Sequence, residues 1–61
     1  MLDDAFKISM DENKGVTIYL RGGQTIAMIV TDIDSGKGIT GRNQQHDLIV
    51  VLYDEISAAA L

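Results

Sequence analysis

Two stretches of this chain are apolar on both sides of an extended strand, and nothing else in it constrains the fold as strongly. Thr25 to Ile33 carries Ile26, Met28 and Val30 on one parity and Ala27, Ile29 and Ile33 on the other. Leu48-Ile49-Val50-Val51-Leu52-Tyr53 is a continuous apolar run. A strand covering one side of a core alternates apolar with polar residues, so a strand apolar on both parities asks for cover on both faces. A chain of 61 residues buries only about 60% of the surface its unfolded form exposes, too little to provide a second layer for both strands. Cover from a neighbouring copy is therefore expected, because an open Ile/Val-rich edge would otherwise aggregate.

Composition narrows the ways in which so short a chain can be held together. It has no Cys and one His, His46, which removes disulfides, thiolate zinc sites and thiol catalysis and leaves association as the remaining support. Nothing points to an oxidising compartment, and the cytoplasm is the expected location. No run approaches the about 18 apolar residues of a membrane span, and Met1-Leu2-Asp3-Asp4 lacks the basic and apolar regions of a secretory signal. No membrane partner is expected. Nine acids against five bases give a net charge of −4, which opposes nonspecific attraction to phosphate, so any nucleic-acid site must be local. With 46% hydrophobic residues the chain is too apolar to be a disordered segment.

Along the chain the first segment, residues 1–14, fits two periods. Leu2, Phe6 and Met10 recur as on a helix with Asp3 or Asp4 as N-cap, while Phe6, Ile8 and Met10 alternate with Lys7 and Ser9 as on a strand, with Asp11 to Gly15 as a hairpin loop. Residues 15–61 read as a small β-barrel. Val16 to Leu20 is a half-buried strand, Arg21-Gly22-Gly23-Gln24 a tight turn, and Thr25 to Ile33 a long strand. Asp34 to Gly38 is the next turn, and Ile39 to Gln45 is a weak polar strand, exposed or at an edge because Gly41 interrupts it. Leu48 to Tyr53 follows as a strand, and Ile56 to Leu61 is a last strand or a short helix.

Val16-Thr17-Ile18-Tyr19-Leu20-Arg21-Gly22-Gly23 through Ile33-Asp34 resembles the first signature of Sm-like proteins, in particular the bacterial Hfq group. That signature is an apolar strand ending in Leu, a Gly three residues on, a bent strand, then an apolar residue before Asp. Leu48 to Tyr53 followed by Asp54-Glu55-Ile56-Ser57 resembles the second signature. The resemblance implies an all-β fold, or β with a short N-terminal helix: a strongly bent five-stranded SH3-like barrel of Sm type. It also implies a homo-oligomeric ring joined by pairing strand four with strand five of the neighbour, which places Leu48, Val50, Leu52, Ile56 and Ala58 at the subunit interface. For RNA, it implies base stacking on Tyr19 with backbone near Gly23; Arg21 and Arg42 are candidate contributors, and Thr25 stands where Hfq has a nearby Lys. Three departures are plain. Met28 replaces a mid-strand Gly; Tyr53-Asp54 or Asp54-Glu55 replaces the basic pair that binds uridine-rich RNA; Ser35-Gly36-Lys37-Gly38 lacks the Asn expected after Asp34.

Other motifs reduce to structure. Asp32-Ile33-Asp34-Ser35-Gly36 opens like a calcium loop, but the required Gly and Glu positions hold Lys37 and Asn43. Gly36-Lys37-Gly38 lacks the preceding Gly and following Ser or Thr of a phosphate loop. His46-Asp47 has no nucleophile to serve. No enzyme activity, cofactor or metal is expected. The expected function is a ring that binds single-stranded RNA by stacking. The alternative is an oligomeric scaffold whose acidic face engages a protein, with a monomeric SH3-type peptide binder as a distant third.

Overall fold

The computed structural model describes residues 2–61, and side chains from Asp4 onward. Helix α1 (Leu2–Glu12) precedes β1 (Gly15–Leu20), β2 (Thr25–Asp34), β3 (Gly38–Arg42), β4 (Ile49–Leu52), a 3-10 turn (Tyr53–Glu55) and β5 (Ile56–Ala60). The strands form one antiparallel sheet in the order β4-β3-β2-β1-β5. The sheet is strongly bent around a core of Phe6, Val16, Ile18, Met28, Val30, Ile39, Val51 and Ile56.

The two periods at the N-terminus resolve as a helix. The acidic side chain of Asp4 suits its first turn, but Asp11 and Glu12 oppose the dipole at its end, so packing rather than propensity holds it. It closes in a Schellman turn, with Asn13 at φ 58° and the Lys14 N–H donating to the Ser9 carbonyl at 3.1 Å. Ser9 is fully buried and joins the helix to the sheet. Its hydroxyl donates to the Lys14 carbonyl at 2.5 Å and accepts the Val30 N–H at 3.0 Å. Replacing Ser9 with Ala leaves that buried N–H without a partner, which costs about 1–3 kcal/mol. Urea titration is expected to show a lower midpoint at unchanged slope, and a shift under about 0.5 kcal/mol would remove Ser9 from this role.

The doubled apolar pattern of β2 has two origins. A bulge between Val30 and Asp32 inserts Thr31 and reverses the parity, so Ile33, opposite Ile39, turns back toward the core. Ala27 and Ile29 stay outside. The same bulge bends the strand without the mid-strand Gly. The small residue lies instead across the ladder: a Cβ on Gly41 would meet Met28 Cε and the Ile29 carbonyl. Gly41 is thus the residue that admits Met28 into the core.

The third strand corrects the sequence expectation. It ends at Arg42 rather than Gln45, and it lies between β2 and β4 with Gly38, Ile39 and Gly41 buried, so it is a central strand. The fourth leaves its alternate residues in the open. Leu48, Val50 and Leu52 are 71%, 62% and 53% exposed, while Val51 is buried.

Candidate nucleic-acid interface

Cross-strand partners share a face, and the registers therefore define the outer surface of the sheet. Tyr19 stands opposite Thr25 on one side and Ala58 on the other, Thr17 opposite Ala27 and Ala60, and Ile29 opposite Gly15 and Arg42. Tyr19 is 43% exposed, and the residues around it on this face are small. The result is an aromatic ring standing on a low surface.

The turn beside it is set by two glycines. Gly22 and Gly23 have φ of 96° and 89°, which a side chain would disfavour. The turn closes with the Leu20 N–H donating to the Gln24 carbonyl at 2.8 Å and the Gly23 N–H to the Leu20 carbonyl at 3.2 Å. The Arg21 N–H donates to the Glu55 carbonyl at 2.9 Å, so the acidic β4–β5 corner abuts this turn. A second bulge, between Tyr19 and Leu20 against β5, is filled by Ser57, whose hydroxyl donates to the Tyr19 carbonyl at 3.0 Å. Tyr19 is thus fixed from both flanks.

The structure brings Tyr19, Arg21, Gly23 and Thr25 together and sets Arg42 apart. Arg42 lies opposite Ile29, four residues along β2 from Thr25, or about 13 Å at the usual rise. No carboxylate stands on the outer face between those two rows; the next acid along this side of β2 is Asp32, beyond the bulge.

After Arg42 the chain forms a loop built on Asn43. Its Oδ1 accepts the N–H groups of Gln45 and His46, each at 2.9 Å, and its Nδ2 donates to the Ala27 carbonyl at 3.0 Å. The side-chain amide takes the place β3 would have held had it run on. Asn43 and Gln44 were not among the sequence candidates, although an Asn-Gln-Gln-His-Asp run is the composition of a loop.

The expected interface residues fall on the two sheet edges. β4 and β5 each have one strand neighbour, and neither contains a charge or a Pro to blunt its free side. Leu48, Val50, Leu52 and Ala58 are exposed there, whereas Ile56 is turned into the chain's own core. Among the described residues no helix is long and apolar enough to cross a membrane, and no group of three or more His, Cys, Asp or Glu gathers.

No protein-family model matches the chain, and no curated protein matches it by sequence. A solved structure does match: a 1.55 Å crystal structure described as that of the pleiotropic translational regulator Hfq. It superimposes with a TM-score of 0.84 at 15% identity, covering 97% of this chain and 86% of the other. The short helix, the bent five-stranded sheet and this superposition together establish that the chain has an Hfq-like Sm fold.

Proposed function

We propose that copies of the chain join edge to edge, β4 of one pairing with β5 of the next, into a closed ring that binds single-stranded RNA through bases stacked on Tyr19. It is a binding protein, and no step of bond chemistry belongs to it. Two uncharged free edges and the exposed Leu48, Val50 and Leu52 support the assembly. The observation that carries the RNA reading is the exposed Tyr19 ring among small cross-strand neighbours, none of them a carboxylate. Stacking needs a π-face more than a phosphate clamp, so it survives a net charge of −4. The structural neighbour's description as a translational regulator is compatible with this.

Fluorescence anisotropy with short poly(A) and poly(U) at low salt tests it. Replacing Tyr19 with Ala is expected to weaken binding about 5- to 150-fold, the value of one stacked base. Equal affinity of variant and parent would refute the site. The second reading is an oligomeric scaffold without nucleic acid, favoured by Asp54 and Glu55 at the β4–β5 corner. Undetectable binding of either polymer by the assembled parent would select it.

A further inference from the structure

Besides the outer sides of β4 and β5 the sheet has a third free edge, and it lies in the middle of the order. β3 pairs with β2 only from Ile29 to Asp34, so the first half of β2 has β1 on one side and no strand on the other. In an antiparallel pair alternate residues turn their main-chain groups toward the partner, and the residues between turn theirs away. The Leu20 N–H donates to the Gln24 carbonyl across β1 and β2. Ile26 and Met28 therefore face β1, and Thr25 and Ala27 face the open side. The Asn43 side chain agrees with this direction, since its Nδ2 reaches the Ala27 carbonyl from that side.

That amide closes one main-chain group of the edge and leaves three. Beyond it come, in order, the Ala27 N–H, the Thr25 carbonyl and the Thr25 N–H, and none of them has a hydrogen-bond partner among the described residues. Two shallow depressions run together along this edge and share Ala27, Asn43 and Gln44. Gln44 and Gln45 stand across from β2, and none of the hydrogen bonds that build the loop uses their side chains. No carboxylate lines either depression. Arg42, at one end, donates from Nη2 to Asn13 Oδ1 at 3.5 Å and has no ion pair among the described residues.

We propose that this edge takes up an acidic, extended peptide segment of another protein as a short added strand, in the line that β3 leaves after Arg42. A row of donor, acceptor and donor at the spacing of a β-ladder is the complement of a peptide main chain. Running antiparallel to β2, the segment accepts from the Ala27 N–H and exchanges two bonds with Thr25. Its residue opposite Ala27 points to the same face as Arg42, about 7 Å along the strand. An Asp or Glu there meets the guanidinium, whereas a basic side chain is repelled. The Gln44 and Gln45 amides, each both donor and acceptor, face the other edge of the segment. The contact uses main-chain groups of β2 rather than the Tyr19 ring and needs no ring assembly, so it stands or falls apart from the RNA reading.

Random heptapeptides displayed on phage and selected on the immobilised full chain supply the probe, which is then synthesised and measured by fluorescence anisotropy. Selected peptides are expected to carry an acid toward their N-terminal end. Methylating one main-chain nitrogen at a time is expected to weaken binding about tenfold at the residue opposite Thr25, the value of one hydrogen bond. The residues on either side of it, whose N–H groups point away from β2, are expected to tolerate the methyl group within about twofold. Ala27→Pro removes an N–H on the open side and none toward β1, and is expected to abolish binding with the melting curve of the parent. Arg42→Gln is expected to weaken binding about tenfold, the value of a hydrogen bond to a charged group, and Tyr19→Ala to leave it unchanged. Should Ala27→Pro lower the melting curve, the methylation pattern decides alone. Three results overturn the proposal: no peptide recovered, methylation without that alternation, or an Ala27→Pro variant that melts and binds as the parent does. Oligoadenylate bound in a manner that Ala27→Pro abolishes, with no peptide recovered, overturns it in favour of nucleic acid.

Discussion

Replacing Val50 with Lys is expected to reduce the proposed assembly to a 6.6 kDa monomer that keeps its fold. Val50 is 62% exposed on β4, opposite Thr40, so within one chain a Lys there stays in water and costs little, about 0.5 kcal/mol or less. Between copies the effect is large. The Lys would have to be desolvated against β5, whose residues Ile56 to Ala60 include no acid to pair with it. Lys on an edge strand is also a common way for natural sheets to refuse strand addition. Sedimentation equilibrium at micromolar concentration reads the outcome, with Gln24→Lys, in the exposed β1–β2 turn, as the control for added charge. A parent that already sediments as a single chain would end the ring proposal, and so would a Val50→Lys variant that retains the parent mass.

The strength of this expectation comes from β4 rather than β2, although the two strands look alike in sequence. In both, apolar residues occupy either parity. In β2 the second parity is partly a change of phase, because the bulge at Thr31 returns Ile33 to the core. Periodicity cannot reveal a bulge from one strand alone, since an inserted residue is defined only against its partner. In β4 no bulge intervenes from Ile49 to Leu52, and Val50 and Leu52 do stand outside. The large uncovered apolar side chains therefore lie along β4, with the smaller Ala27 and the half-buried Ile29 on the outer side of β2.

Local chemistry made other parts legible. The Arg21-Gly22-Gly23 turn was readable because positive φ selects glycine, and Tyr19 was readable because it shares its parity with Thr17, across the strand from the apolar Val16, Ile18 and Leu20. The N-terminal helix was not, because Phe6, Ile8 and Met10 satisfy a strand period. Ser9 decides the matter, being the buried one while Ile8 and Met10 are more than a third exposed. A buried hydroxyl whose partner is 21 residues away in sequence leaves no local trace. Arg42 was singled out for its charge, but the pocket beside it depends on where β3 ends, and Asn43 sets that end by competing for the Ala27 carbonyl.

Replacing Phe6 with Ala is expected to unfold most of the isolated chain. The Phe6 ring is fully buried at the centre of the core, and it stacks on Tyr53 with centroids 6.4 Å apart and planes 18° from parallel. Removing such a ring costs about 3–5 kcal/mol, and a single core of this size rarely supplies more than about 3–5 kcal/mol in all. The loss equals the whole. Tyr53 begins the turn that carries β4 into β5, so the same ring supports the corner between both free edges. Assembly favours the folded state by mass action, and the melting temperature of Phe6→Ala is accordingly expected to rise with protein concentration more steeply than that of the parent. Phe6→Leu, which keeps most of the volume, is expected to retain cooperative melting by circular dichroism at a modestly lower midpoint. A Phe6→Ala variant within about 1 kcal/mol of the parent would show that residues 15–61 fold without the helix, and that residues 1–14 are an appendage rather than the lid of the core.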